Sequence, residues 1–230
     1  PGCAELGDFD ATSTAAALVY CGELENMPQP QLSNTFNRFF NDLSGRFEPG
    51  AKFVFTPYEM RTVLAFLFMG EKDRALKLLH FMLGCRRPPA WNHLAEVVHS
   101  GYRFPCYIGD MPHTWVGAEY INAARGLFVY EKGRELVLGA GIDPRWLEGG
   151  ERVAIEALPT HFGNISYEMR KVDNTVSVRI SGDAAPAGGI VFKPPLAGRP
   201  REIRVNGGPV DAAGGDVRCP ALPAEIEFVY

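Results

Sequence analysis

No apolar run in this chain reaches the roughly 18 residues that a bilayer-spanning helix needs. The densest run, Val63–Met69, stops at Gly70. No His-x-x-x-His or Cys-x-x-Cys spacing occurs, so the common zinc patterns are missing and no metal or cofactor is expected. The five cysteines, Cys3, Cys21, Cys85, Cys106 and Cys219, are odd in number and far apart. They imply no disulfide framework and read as buried or idle thiols. That fits a reducing compartment, or a secreted protein that does not rely on disulfides. The glycine pairs Gly188-Gly189, Gly207-Gly208 and Gly214-Gly215 lead into no helical pattern, which excludes a phosphate loop. Neither sign of charge dominates: 23 Lys and Arg against 27 Asp and Glu leave −4. That balance argues against nucleic acid or an anionic membrane as the main partner. No internal repeat is visible. The chain opens Pro1-Gly2-Cys3 with neither Met nor a signal-peptide pattern, and a helical pattern begins almost at once. It therefore reads as a piece of a longer protein.

What is present suffices for a real core: 46% of 230 residues are hydrophobic and 22% charged, enough for one large domain or two small ones. Up to about residue 127 the apolar residues recur at helical spacing. Asp10 is placed to cap a helix running to about Leu24. A second helix fits Gln31–Leu43, with Leu32, Phe36, Phe39 and Phe40 on one side. Thr56-Pro57-Tyr58-Glu59 has the form of a helix start, a Thr cap followed by Pro and a capping-box Glu, opening a helix over Pro57–Met69. Another fits Lys72–Leu83, with Ala75, Leu78, Leu79 and Met82 inward. Short turns such as Gly70-Glu71 suggest helical hairpins. Cys85–Ile108 reads as a long loop, and its Trp91, His93, Tyr102, Phe104 and Tyr107 argue against disorder.

Beyond residue 127 the pattern changes to short strands: Leu127–Glu131, Glu135–Leu138, Arg152–Ala157, Asn164–Val172, Thr175–Ser181, Gly189–Phe192, Glu202–Val205 and Glu225–Tyr230. Pro and Gly separate them, which predicts an antiparallel β-sandwich. Phe128, Val137, Ile155, Ile165, Val178, Ile190, Ile203 and Phe228 are its candidate interior. The expected class is α+β, with helical hairpins over residues 1–126 and a sandwich over 127–230.

The most informative stretch is Gly109-Asp110-Met111-Pro112-His113-Thr114-Trp115-Val116-Gly117-Ala118-Glu119-Tyr120. Asp110 followed by Pro112 predicts a helix from about Met111 to Gly126 with Asp110 as its cap. His113 and Trp115 share its first turn, and Glu96 and His99 lie just upstream. Carboxylate, imidazole and aromatic faces at one helix mouth are what a sugar pocket needs. An ordinary buried helix start can look the same.

The blocks Trp91-Asn-His-Leu-Ala-Glu96-Val, Tyr107 to Tyr120 and Gly126-Leu-Phe-Val-Tyr-Glu131 resemble, in that order, the C-terminal part of six-hairpin, (α/α)6-barrel glycoside hydrolases with an appended sandwich domain. The segments Pro144–Glu148 and Leu158–Gly163 resemble the same family. Its bacterial members are described as glycosyl hydrolases or as proteins with a coagulation factor 5/8 type domain. The resemblance spans most of the chain and implies a partial (α/α)6 toroid followed by the sandwich. A more distant similarity is to α-L-rhamnosidases, where a Trp-Glu pair precedes an Asn-His-aromatic helix start and the Glu is the general base of an inverting reaction. In this chain that Glu falls on Glu96 and the His on His113. Four residues separate Trp91 from Glu96, and Asp-Met-Pro-His stands in place of Asn-His.

Inverting glycosidases hold two carboxyls about 6.5–9.5 Å apart around a water. Here Glu96 is the candidate base, the alternative being a cap or ion pair within its own loop. His113 is the second candidate catalytic residue, donating to a sugar hydroxyl or else bonding the loop carbonyls around it. Trp91 and Trp115 offer stacking faces, or core packing. Asp110 and His99 complete the candidate substrate-binding set. The resemblance implies carbohydrate as partner, and a catalytic acid supplied by the N-terminal half of the parent. With only one carboxylate assigned, this piece alone is expected to be inactive. Secretion or a periplasmic location of the parent is compatible with all of this. A helical half-shell would leave Phe36, Phe40 and Phe66 uncovered, which predicts self-association. A non-catalytic glycan-binding or purely structural module is the competing reading.

Overall fold

The computed structural model describes residues 7, 10–101, 104, 110–211 and 215–230. Cys3, Tyr102, Cys106, Tyr107, Gly109 and Gly214 lie outside them. The chain divides into two compact units, Pro1–Arg125 and Gly126–Tyr230. The fold is α+β: among the described residues, five α-helices and three sheets. No helix among them is long and apolar enough to cross a membrane.

In the first unit, α1 (Ala11–Tyr20) starts where Asp10 accepts hydrogen bonds from the Thr12 and Ser13 amides, both at 3.1 Å. It ends at Tyr20, four residues before the expected stop near Leu24, with Cys21 as its cap and Gly22 at a left-handed φ of 70°. Helix α2 (Gln31–Ser44) lays one strongly apolar face inward. Helix α3 (Arg61–Phe68) is apolar on every side and is buried accordingly. It packs against α1 on one side and on the other against α4 (Lys72–Gly84), to which the Gly70 turn connects it.

The aromatic face expected to stay open is closed within this unit. Phe36, Phe39 and Phe40 surround Phe66 with centroid distances of 5.6, 6.2 and 5.8 Å. Phe36 and Phe66 are fully buried, each worth about 2–3 kcal/mol of transfer free energy. Phe40 is covered by the Arg74 guanidinium at 4.9 Å. The reason given for self-association is therefore removed.

Two further expectations change here. Pro57–Met60 is a 3-10 turn ahead of α3, so the predicted single helix is divided. Its Glu59 is no capping box: the carboxylate is buried and pairs with Arg46 at 2.7 Å. The 85–108 segment is also less irregular than its sequence reads. It holds a 3-10 turn at Pro89–Trp91, and its strand β2 (Val98–His99) pairs with β1 (Val54–Phe55). Helix α5 (Thr114–Phe128) ends the unit and runs across its boundary.

The second unit has two sheets. Strands β3 (Val129–Lys132), β4 (Glu135–Leu138), β8 (Ile190–Phe192) and β11 (Val217–Cys219) form one, in the order β11-β8-β4-β3. Strands β5 (Val153–Thr160), β6 (Gly163–Val172), β7 (Thr175–Gly182), β9 (Glu202–Val205), β10 (Gly208–Pro209) and β12 (Ala224–Val229) form the other, in the order β10-β9-β12-β7-β6-β5. One core joins them: the Phe192 ring lies 5.5 Å from Tyr167 and 6.0 Å from Phe228. The purely antiparallel expectation fails at one pair. Strands β4 and β8 run parallel, because the whole β5–β7 excursion intervenes and serves as their crossover. Val137, an expected core residue, is buried but points away from this core, which takes its neighbours Leu136 and Leu138 instead. Ile165, Val178, Ile190, Ile203 and Phe228 are in the core, with Phe128 and Ile155 packed at its margin.

Candidate functional site

The site is assembled in the first unit by three short segments. Thr56 opens the 3-10 turn by accepting from the Tyr58 amide at 3.4 Å, and its hydroxyl donates to the Glu96 carbonyl at 3.0 Å. The Glu96 amide donates to the Asp110 carbonyl at 3.3 Å, and the His113 amide to the Leu94 carbonyl at 3.0 Å. These bonds lace residues 94–96 to 110–113, and fix both to the start of the turn that carries Tyr58.

Tyr58 is the centre. The His113 ring stands edge-on to it at 5.7 Å and the Trp115 ring at 4.9 Å. Burial pushes the Tyr58 phenol up, and the Glu96 charge nearby adds to the shift. The Arg61 guanidinium, one helical turn on, lies 5.6 Å from the Tyr58 ring centre and 5.8 Å from that of Trp115. It is fixed by Glu119 of α5 at 2.8 Å. The second Glu119 oxygen accepts from the Tyr20 hydroxyl. Burial and that bond push the Tyr20 phenol up to about 12. Arg61 Nε is buried with no partner among the described residues. Trp115 itself is 59% exposed.

Glu96, His113 and Trp115 are thus brought together around Tyr58. Asp110 is not the helix cap: α5 begins at Thr114, and the exposed Asp110 contributes its carbonyl to Glu96. The cap is His113, whose Nδ1 accepts from the Val116 amide at 3.4 Å. With Nδ1 accepting, the neutral ring carries its proton on Nε2 and has one donor left to offer. Trp91 lies elsewhere on the surface, 68% exposed and edge-on to His93 at 5.7 Å. His99 is held locally: it stacks on Phe104 at 3.9 Å, and its Nδ1 accepts from the Gly101 amide at 2.9 Å.

Arg61, Glu119 and Tyr20 were not among the residues singled out from sequence. Glu119 had a legible signal. It continues the stripe Val116, Ala123 and Leu127, all buried, and a carboxylate at a core position needs a cation. Among the described residues no three His, Cys, Asp or Glu side chains gather as a metal group.

The arrangement offers a flat exposed indole and, beside it, a phenol, an imidazole donor and a carboxylate. Glu119 is already spent on Arg61 and Tyr20, so it positions the cluster. The Glu96 charge bears on the Tyr58 phenol. No protein family's sequence profile matches the chain, and no curated protein does. Among solved structures it is similar to a GH127 β-L-arabinofuranosidase from Geobacillus stearothermophilus T6, at 14% identity and a TM-score of 0.31. The match covers 74% of this chain and 31% of that one, so the chain spans less than a third of that enzyme's length.

Proposed function

We propose that this chain is the C-terminal part of a carbohydrate-active protein, a glycoside hydrolase of the six-hairpin type, and that the cluster around Tyr58 forms one side of its sugar pocket. In this reading residues 1–126 belong to an (α/α)6 toroid completed by an N-terminal half, and residues 127–230 are its sandwich domain. Glu96 is the general base, His113 donates to a sugar hydroxyl through Nε2, and Trp115 is the stacking platform. Trp91, Asp110 and His99 belong to the wider binding surface. The observation that carries the reading is Trp115. Its indole is 59% exposed, braced at 4.9 Å by Tyr58 and flanked by Arg61, so it presents a fixed flat face on which sugar C–H groups can stack.

Titration of the chain with neutral methyl glycosides, followed by tryptophan fluorescence and calorimetry, tests it. Saturable binding that Trp115→Ala abolishes is expected; a panel in which no glycoside binds overturns it. In the parent, Glu96→Gln should lower turnover by several orders of magnitude with the fold intact. One observation favours the non-catalytic alternative: Glu119 is engaged at both oxygens, leaving Glu96 as the site's remaining carboxylate. Glycan binding by a parent that turns over no glycoside would select that alternative, whereas full parental activity in Glu96→Gln would show that Glu96 is not the base.

A further inference from the structure

The first unit holds a cavity of about 260 Å³ that none of Tyr58, Glu96, His113 and Trp115 lines. Its floor is Met60, Met82 and Leu94, all buried. Arg86, Asn92 and Tyr120 stand at its rim. The cavity opens to solvent at this rim, and its volume far exceeds the ~10–15 Å³ that one water requires. It falls just below the roughly 300 Å³ at which pockets for drug-sized ligands begin, so its occupant is small.

The rim is a fixed cation. Arg86 Nε donates to the Leu83 carbonyl at the end of α4 at 2.6 Å, and Nη1 to Asn92 Oδ1 at 2.5 Å. These two bonds hold the guanidinium plane over the cavity. Its Nη2 protons have no partner among the described residues. None of the lining residues is acidic. A planar guanidinium pairs with carboxylates or phosphates, its being the one cation of the lining suits the single charge of a carboxylate, and a thioether-and-leucine floor favours an apolar body over a bare inorganic anion.

We propose that this cavity is a binding site for a small amphipathic carboxylate, with its carboxylate on Arg86 and its aryl or alkyl body on Met60, Met82 and Leu94. The proposal does not depend on the sugar reading. The two sites share backbone: Met60 adjoins Arg61, Tyr120 adjoins Glu119, and the Leu94 carbonyl holds the His113 amide.

Calorimetry of the chain with benzoate, hexanoate, benzyl alcohol and sulfate tests it. Benzoate or hexanoate should bind saturably in the millimolar range or better, with benzyl alcohol and sulfate at least tenfold weaker. Arg86→Gln should weaken benzoate at least tenfold and leave benzyl alcohol unchanged. Arg86 also holds the end of α4, so Leu83→Trp is the second variant. It fills the cavity from its rim and should abolish carboxylate binding with helical content preserved. Absence of saturable carboxylate binding to the unaltered chain overturns the proposal. So does equal affinity for benzoate and benzyl alcohol, sulfate binding as tight as benzoate, or benzoate binding that survives Leu83→Trp.

Discussion

Arg61 and Glu119 meet at 2.8 Å with their side chains only 12% and 3% exposed, and this pair ties the start of α3 to the second turn of α5. The two rings of the candidate site lie against the same guanidinium. The pair therefore decides where Tyr58 and Trp115 stand, although neither charge is placed to react. Desolvated ion pairs add little net stability when intact, but removing one partner strands the other.

Glu119→Ala should cost about 3 kcal/mol, because it leaves Arg61 and the Tyr20 hydroxyl without their acceptor. Glu119→Gln keeps an acceptor for Tyr20 and should cost less. Urea unfolding followed by tryptophan fluorescence checks the order of the two. A loss for Glu119→Ala no larger than that of an ordinary surface change would show that the pair does not hold the cluster.

His113 serves two roles that one substitution can separate. Its Nδ1 caps α5 at Val116, a contact worth about 1 kcal/mol, while Nε2 is the group assigned to the ligand. His113→Ser should keep the cap and hold stability within about 0.5 kcal/mol, yet weaken glycan binding; His113→Ala should lose both. If His113→Ser binds glycosides as tightly as the unaltered chain, the imidazole is only a cap.

Helix positions were legible because apolar spacing is a local signal, and α2 and α4 agree with it almost to the residue. The start of α5 was not. Asp110 and Pro112 form a good local cap signature, but the Asp110 carbonyl is taken by Glu96, fourteen residues upstream in sequence, and the helix begins at Thr114. The parallel β4–β8 pair was hidden for a similar reason: nothing in either short strand records a partner on the far side of β5–β7. In the site, sequence brought Glu96, His113 and Trp115 to one place. The Arg61–Glu119–Tyr20 bracing stayed out of view because each member comes from a different helix or turn.

Gly182 should tolerate no side chain. Its φ is 136°, and a Cβ there would stand 2.2 Å from the Asn164 carbonyl oxygen on the paired strand. The neighbour is backbone in the β6–β7 ladder, so it cannot rotate away. Gly182→Ala should destabilise the second unit by at least about 2 kcal/mol, visible as a lowered unfolding midpoint. A midpoint unchanged from the unaltered chain would mean that the ladder end yields.

The Arg46–Glu59 pair should make stability depend on pH in the direction opposite to most carboxylates. Burial raises Glu59 above its ordinary 4.5, and the Arg46 bond and charge only partly offset this. Between 4.5 and the higher folded value the native chain holds a proton that the unfolded chain has released. Stability from this group is therefore greatest at the acid end of that window and falls as pH rises through it. Arg46→Ala removes the offset and raises the folded value further, so the window widens upward. Its cost should be smaller near the ordinary Glu value, where Glu59 is more fully protonated, and larger near neutrality, where an unpaired buried carboxylate must be held. Urea unfolding of the unaltered and Arg46→Ala chains at those two pH values measures the difference. A cost for Arg46→Ala that is equal at both would show that Glu59 keeps its charge without Arg46, and that solvent reaches it.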